Sequence, residues 1–465
     1  MAIANFISRP RVTPPLEEDF LPLAAVNRNY QNAVRASGRS VPLVIGLERE
    51  EGHVTRYATE VFAPQVAEAS ANLWYAERLV KTLLWQRGGC RVLVAGPREI
   101  ADHLAQVYGP GGPRAFDAEF MAGVYECPFS VEWVEGDIVA SGERPVMIGR
   151  HLDGCRIGFD AGASDRKVAA VVEGEVVFSE EVVWNPRAQA DPDYHYREIN
   201  AALKAAAAHM PRVDAIGVSA AGIYINNRVA VASLFRGVPK PLFDSKVKNL
   251  FLRLQQEWKV PLEVANDGDV TALAGAMSLR DNAVLGIAMG SSEAGGYVDT
   301  KGNLTTRLNE LAFVPFDANP DAPMDEWSGD RGVGAQYFSQ TGVVRLAPRA
   351  GIELDPTQTP AEQLKAVQDL LAQGDVRARR VFETLGCELG YAIAHYADFY
   401  HFRHVLVLGR VTSGEGGAIM LDRAREVINV DFPSLRERCQ MHLPDETSKR
   451  VGQAVAAASL PAIPR

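Results

Sequence analysis

The first of three loops rich in glycine and small polar residues begins at a carboxylate, Asp160, which ends an apolar segment typical of a buried strand. Gly162 and Ser164 follow it. Glycine lets the backbone approach a ligand closely, and backbone N–H groups with a serine hydroxyl can bind phosphate oxygens. A nearby carboxylate can hold Mg²⁺, usually through water. The loop therefore predicts a phosphate and Mg²⁺ site, although a plain β-hairpin turn uses the same residue types.

A second loop, residues 288–296, also places small polar residues after an apolar segment. Gly290 and Ser291 could bind a second phosphate there, or the loop could be an ordinary turn. Glu293 counts against phosphate, because its negative charge repels phosphate unless the side chain points away or reaches a metal. The sequence thus predicts Gly290 and Ser291 as phosphate-binding residues and leaves Glu293 as an anomaly.

A third loop, residues 408–417, lies between an apolar segment and a helical pattern. Gly409 and Gly416 would allow a flat base or ribose to lie against the backbone. A helix N-terminus capped by Thr412 or Ser413 would use the same residues. Three such loops in one chain favour a nucleotide site more strongly than any one of them alone.

Alternating strand and helix patterns surround these loops. Apolar strand patterns begin near residues 157, 215, 261, 284 and 405, and helical patterns such as 194–209 and 376–400 separate them. The alternation predicts an α/β fold, and in open α/β sheets ligands bind beyond the carboxyl ends of the strands. The glycine loops and the Asn266-Asp267 pair all stand at such ends.

The first 150 residues are predicted to be organised separately. Residues 1–40 contain several prolines and no sustained periodicity, so we expect an arm. Residues 41–150 are predicted to form an α/β extension, with strands in 41–62 and 90–96 and helices in 66–85 and 98–109.

Composition excludes several classes of protein. The 465 residues carry a net charge of −10, which argues against nucleic acid as the main partner. The five cysteines are scattered without a CxxC pair, so neither a disulfide framework nor a zinc knuckle is indicated. Neither a signal-peptide pattern nor an apolar run of the roughly 18 residues that span a bilayer is present. We therefore expect a cytoplasmic protein with no membrane partner.

The order of the loops resembles the ROK family of sugar kinases and regulators, within the actin-like, hexokinase-like ATPase superfamily. The resemblance covers about residues 155–460 and rests on these segments: Asp160 to Ser164 with Lys167, the small residues ending at Gly222, Asn266-Asp267, Gly290 to Gly296, Asn309-Glu310, Leu408 to Gly417 and 452–460. It implies two ribonuclease H-like lobes around a nucleotide cleft, the first over 151–268 and the second over 269–465. The resemblance is also compatible with a last helix that returns to pack on the first lobe.

The resemblance also implies a reaction, the transfer of a phosphoryl group from ATP, with Mg²⁺, to a hydroxyl of a sugar or polyol. Asp267 stands where the family has its general base, and its place between the two phosphate loops favours that role over an Asx turn that caps the next helix. Asn266, Glu310 and Gly222 correspond to substrate-binding positions. Family members suggest a homodimer. The winged helix-turn-helix of ROK repressors has no counterpart here, since residues 41–62 have strand patterns.

Several departures from the family pattern weaken this assignment. All three thiolates of the family's zinc motif are missing from residues 326–333, and Phe313 replaces its histidine, so we predict no structural zinc. Aromatic residues nearby are expected to form a small core instead. The family has a second sugar-binding glutamate, and its position falls at about Ala335 in this chain, so that carboxylate is missing. The sequence therefore leaves two hypotheses: a kinase for a sugar or sugar-like polyol, or a non-catalytic ligand-binding or scaffold protein.

Overall fold

The computed structural model describes residues 3–49, 52–140, 148–162, 165–305, 307–444 and 446–464, with the backbone alone for 446–451. Ser164, one of the predicted phosphate ligands, lies outside these residues. No helix in the described ranges is long and apolar enough to cross a membrane.

The amino-terminal part forms a four-stranded sheet in the order β2-β1-β3-β4. β1 is antiparallel to β2 and β3, and β3 is parallel to β4. The prediction of two strands in residues 41–62 is therefore confirmed. The elements are α1 (Leu23–Ala36), β1 (Ser40–Glu48), β2 (Val54–Phe62), α2 (Ala71–Arg87), β3 (Arg91–Ala95), α3 (Arg98–Val107), α4 (Ala115–Tyr125) and β4 (Ser130–Trp133).

Two sequence-based expectations for this part were wrong. The expected arm contains α1, whose Val26, Tyr30 and Val34 are buried at helical spacing. The prolines that obscured this periodicity precede the helix. Cys90 and Cys127 form a disulfide with their Cα atoms 6.3 Å apart. Their separation of 37 residues gives no local signal, because it is the parallel pairing of β3 with β4, which begins at Arg91 and Ser130, that brings the two segments together.

The first lobe is a five-stranded sheet in the order β11-β8-β5-β6-β7. β5, β8 and β11 are parallel, while β5, β6 and β7 form an antiparallel meander. The elements are β5 (Cys155–Ala161), β6 (Asp165–Val172), β7 (Glu175–Val183), α5 (Pro192–Ala207), β8 (Ala215–Ala220), β9 (Ile223–Ile225), β10 (Arg228–Val231), α6 (Lys240–Leu242), α7 (Leu250–Trp258) and β11 (Leu262–Asn266). β9 and β10 pair as a separate hairpin.

The second lobe has a four-stranded sheet in the order β13-β12-β14-β15. Its elements are α8 (Asp267–Leu279), β12 (Val284–Met289), β13 (Glu293–Val298), α9 (Gln340–Arg349), α10 (Pro360–Ala372), α11 (Val376–Tyr396), β14 (His404–Leu408), α12 (Glu415–Asp431), β15 (Gln440–His442) and α13 (Glu446–Ala458). α13 returns to the first lobe and packs on β5 and β8. The predicted α/β class is confirmed.

The amino-terminal part and the second lobe share one apolar core. Trp85 of α2 packs on Phe313, with ring centroids 4.3 Å apart, and Phe20 packs on Tyr391 of α11 at 5.7 Å. The first lobe has its own core between its sheet and α5 and α7. The amino-terminal part thus packs against the second lobe through this shared core.

Candidate functional site

Asp160 lies at the carboxyl end of β5, beside the end of the parallel strand β8. It is buried, and the Ser219 hydroxyl donates a hydrogen bond of 2.8 Å to its Oδ1. Burial raises the pKa of Asp160 to about 6, and the negative charge of Asp267 adds to the rise. Lys167 stands opposite Asp160 in the β5–β6 ladder, and its positive charge acts against this rise in the pKa of Asp160. The Gly162 carbonyl accepts from Trp184 Nε1 at 2.8 Å, which fixes the start of the loop.

The Asn266-Asp267 pair joins the end of β11 to the start of α8. Asn266 Oδ1 accepts from the Gly268 N–H at 2.7 Å and caps the helix, while its Nδ2 donates to the Gly222 carbonyl at 2.7 Å. The capping role that could have explained Asp267 therefore belongs to Asn266. The half-buried Asp267 carboxylate accepts from the Gly268 N–H at 3.0 Å, and burial raises its pKa.

A further carboxylate, Asp269, lies in the first turn of α8 and was not predicted. Its Oδ1 accepts from the Tyr297 N–H at 3.1 Å and from Asn309 Nδ2 at 2.9 Å. Burial raises the pKa of Asp269 to about 7, with a contribution from the Asp267 charge. The signal was present in the sequence as the second acid of Asn-Asp-Gly-Asp, but the resemblance drew attention to the first.

Glu310 lies near enough to these acids for their charges to act on it. We call Asp160, Asp267, Asp269 and Glu310 the acidic region. Burial raises the pKa of Glu310 to about 8, and the charges of Asp267 and Asp269 contribute. The backbone N–H of Glu310 donates to the Trp85 carbonyl at 3.0 Å, at the end of α2. The amino-terminal part, whose role the sequence left open, thus positions a predicted substrate residue.

Glu293, the anomaly of the second loop, points into the core. Its side chain is 2% exposed, Tyr396 OH donates to Oε1 at 3.2 Å, and Oε2 lies against Gly334. Burial raises the pKa of Glu293 to about 8. The carboxylate therefore does not face the loop, where Gly290 donates to the Ser292 carbonyl at 3.0 Å and Ser291 is exposed.

In the third loop, packing explains both predicted glycines. Gly409 has φ 107° and its Cα lies against the Met289 backbone, so a side chain there would collide. A Cβ at Gly416 would lie 2.6 Å from the Phe382 ring. The helix cap is Gly414, and neither Thr412 nor Ser413 caps α12. A cavity of about 460 Å³ lies between this loop and α10, lined by residues that include Leu364, Gln368, Arg410, Ser413 and Gly414.

A second cavity, of about 530 Å³, lies beside the end of β11 and the start of α8. Gly222, Asn266 and Asp269 line it, together with Arg49 from the amino-terminal part and Arg307 from the second lobe. Of the acids described above, Asp269 alone lines a cavity, and the predicted acids Asp160, Asp267 and Glu310 lie outside both described cavities.

The loop that replaces the family's zinc motif is held by ion pairs and aromatic rings. Asp330 pairs with Lys81 at 3.3 Å, Arg78 at 3.4 Å and Arg114 at 2.6 Å, all from the amino-terminal part. These cations hold the pKa of the buried Asp330 well below its usual range despite desolvation. Trp327 packs on Phe313 at 5.3 Å. Within the described ranges, three or more His, Cys, Asp or Glu side chains nowhere form a group that could hold a metal ion.

Solved structures share this architecture. A ROK family glucokinase from Streptomyces griseus, in complex with glucose and AMPPNP, is 22% identical over 66% of this chain and 99% of its own, with a TM-score of 0.50. The chain has the ROK fold. A ROK family transcriptional regulator, a homolog of the E. coli MLC protein, is 18% identical over 66% of this chain and 79% of its own, with a TM-score of 0.53. The resemblance predicted from the sequence, with its two actin-like lobes, is confirmed at the level of the fold.

No protein-family model matches the sequence, and no curated protein is similar to it. The roles of the individual residues in this ROK fold therefore stay predictions.

Proposed function

We propose that the protein is a divergent ROK family phosphotransferase that transfers a phosphoryl group from ATP to a hydroxyl of a sugar or sugar-like polyol. The observation that carries the proposal is the position of Asp267. It stands at the start of α8, next to Asp160 and Glu310, with its capping function taken over by Asn266. A carboxylate of raised pKa at a lobe junction is suited to accept a hydroxyl proton.

The acidic region fits a nucleotide with Mg²⁺. Burial and mutual repulsion raise the pKa of Asp160, Asp269 and Glu310, so the region favours a bound cation or protons. Mg²⁺ is usually held by one or two carboxylates, water and substrate phosphates, and Asp160 would be its protein contact here. The ion would supply charge neutralisation at the phosphates. Lys167, Gly290, Ser291 and the third loop would bind the rest of the nucleotide.

In the proposed reaction, Asp267 accepts the proton of the substrate hydroxyl, and the oxygen of that hydroxyl attacks the terminal phosphorus of ATP. The bond from that phosphorus to the bridging oxygen breaks, and ADP leaves with the electron pair. Asn266, Glu310 and Gly222 would orient the substrate, since Asn266 retains a second amide N–H beyond its bond to Gly222. A homodimer in the cytoplasm remains part of this proposal.

A non-catalytic ligand-binding protein is the alternative function. Its supporting observation is that Asp160 and Asp267 line neither cavity, and that Gly409 and Gly416 are explained by packing alone. On that account the loops keep their backbone shape without a nucleotide.

Turnover distinguishes the two functions. We expect wild-type protein to consume ATP with one or more members of a panel of sugars, sugar acids and polyols, and Asp267→Asn to lower the rate by about 10²–10⁴-fold, as loss of a general base does. Asp321→Asn, an exposed carboxylate in the second lobe, serves as the matched control. No turnover in a folded wild-type protein, or equal turnover in Asp267→Asn, would favour the non-catalytic alternative.

A further inference from the structure

Residues 126–129 form the short link between α4 and β4 in the amino-terminal part. The disulfide from Cys90, just before β3, fastens this link at Cys127. Glu126, the preceding residue, ends α4 in the left-handed region with φ 55°. A residue other than glycine adopts this conformation at some cost, so the surrounding structure has to hold it there. The disulfide on the next residue therefore helps to fix the position of Glu126.

The side chain of Glu126 reaches the first lobe. Its carboxylate forms ion pairs with Arg228 of β10, at 3.3 Å, and with Lys248, just before α7. The amino-terminal part shares its core with the second lobe, whereas the first lobe has a core of its own. Ile223 of β9 packs in the shared core, so the β9–β10 hairpin is a place where the first lobe meets the rest of the molecule. The ion pairs of Glu126 join the two bodies at this hairpin.

The hairpin is in turn bound to the strand that leads to the candidate site. Asn227, between β9 and β10, donates from Nδ2 to the Leu262 carbonyl at 2.9 Å and accepts at Oδ1 from the Val264 N–H at 2.9 Å. Both partners belong to β11, which ends at Asn266. Coupling between distant sites is carried by such contiguous contacts. Here they run from the disulfide through the hairpin to the start of α8.

The disulfide is open to exchange with a thiol on one side. Cys127 is half-buried, whereas Cys90 is 4% exposed. One thiolate of a dithiol reductant would attack the Cys127 sulfur, and Cys90 would leave as a thiolate and take up a proton. The second thiol of the reductant then closes on its own mixed disulfide and releases Cys127, so the reductant becomes a disulfide and both cysteines become thiols. In the cytoplasm, the location proposed above, disulfides are usually transient, catalytic or redox-sensing.

We propose that the Cys90–Cys127 disulfide and Glu126 form a redox-sensitive latch between the amino-terminal part and the first lobe. In the oxidised protein the disulfide holds Glu126 against Arg228 and Lys248. Reduction frees the link between α4 and β4, the ion pairs weaken, and the hairpin with β11 becomes more mobile. The inference goes beyond the proposed phosphotransferase function and does not rest on it, because the latch needs neither ATP nor a sugar.

Hydrogen–deuterium exchange of the full chain, oxidised and after reduction by dithiothreitol, tests the latch without nucleotide. Mass spectrometry of the oxidised sample first checks that the disulfide is present. We expect exchange in the hairpin, residues 223–231, to become about two- to fivefold faster on reduction, the range that exposed ion pairs provide. Exchange in α5 should stay the same, which separates release of the latch from loss of folding.

Glu126→Gln keeps the disulfide and removes the ion pairs, so its hairpin should exchange fast in both redox states and no longer respond to reduction. Glu119→Gln, an exposed glutamate of α4, is the matched control and should respond like the wild type. Cys127→Ser should behave like the reduced wild type.

Four results would overturn the proposal. They are an oxidised protein without the disulfide, equal hairpin exchange in the oxidised and reduced wild type, a response to reduction that persists in Glu126→Gln, and a rise of the same size in α5 as in the hairpin.

Discussion

At the scale of residues, the acidic region is unusual because its members have few cationic partners. Asp160, Asp267, Asp269 and Glu310 all have a raised pKa, chiefly through burial. Elsewhere the buried Asp330 has three cationic partners and a lowered pKa. The contrast supports the proposal that a cation binds at the lobe junction, because buried acids without cationic partners are favoured by added positive charge.

Glu293 gives a prediction for the dependence of stability on pH. A carboxyl whose pKa is higher in the folded than in the unfolded protein binds more protons when folded. The free energy of unfolding should therefore fall as the pH rises from about 4.5 to about 8, by at most about 1.4 kcal/mol per pH unit for this one group. Glu293→Gln should remove this part of the slope, as measured by urea unfolding at several pH values.

Glu180→Gln, an exposed carboxylate of β7, is the control and should leave the slope as in the wild type. If Glu293→Gln had the same pH slope as the wild type, Glu293 would be ionised in the folded protein and its environment would differ from the one described.

At the scale of elements, the return of α13 to the first lobe depends on two glycines. The Cα atoms of Gly158 in β5 and Gly217 in β8 lie against the backbone of α13 at Ala454 and Ala457. No side chain fits at either place. The sequence pattern alone predicts two strands and a helix of small residues, but their close contact is a property of the folded sheet.

Gly217→Ala should therefore displace α13 and lower the free energy of unfolding by about 1–3 kcal/mol or more, as overpacking does. Gly123→Ala is the matched control, since its Cβ would meet nothing within 4 Å in α4. That change should be neutral or stabilise by up to about 1 kcal/mol. Chemical denaturation measures both, and equal stability of the two variants would contradict the described packing of α13.

The loop around Asp330 gives a second prediction at this scale. Asp330→Ala would leave Lys81 and Arg114 buried with fewer partners, and removing one member of a buried ion pair typically costs about 3–5 kcal/mol. Asp321→Ala, exposed in the same segment, should change stability by less than about 0.5 kcal/mol. A comparably small effect of Asp330→Ala in thermal or urea unfolding would show that the ion pairs do not hold this loop.

At the scale of the whole molecule, the sequence predicted the lobes better than their surroundings. The glycine loops and the Asn266-Asp267 pair could be located because each follows a strand, and a parallel sheet brings strand ends together. The disulfide between Cys90 and Cys127 and the contact of Glu310 with α2 could not, because they join segments far apart in the chain. The cavity walls depend on three parts of the molecule and have no local pattern.

The domain limits predicted from the sequence, at residues 40, 150 and 268, stay a proposal. The shared core of Trp85 and Phe313 indicates that the amino-terminal part folds with the second lobe. The hydrogen bond from Glu310 to Trp85 and the lining of the 530 Å³ cavity place this part beside the proposed substrate residues.

Calorimetric titration of Mg-ATP into the purified protein tests the central claim, a nucleotide site at the junction of the lobes, most directly. We predict binding to the wild type that weakens at least about tenfold in Asp160→Ala, the loss expected when a charged contact to a bound ligand is removed. Asp321→Ala should bind like the wild type. Absence of Mg-ATP binding in the wild type, or equal binding by Asp160→Ala, would contradict the account and leave the loops with a structural role alone.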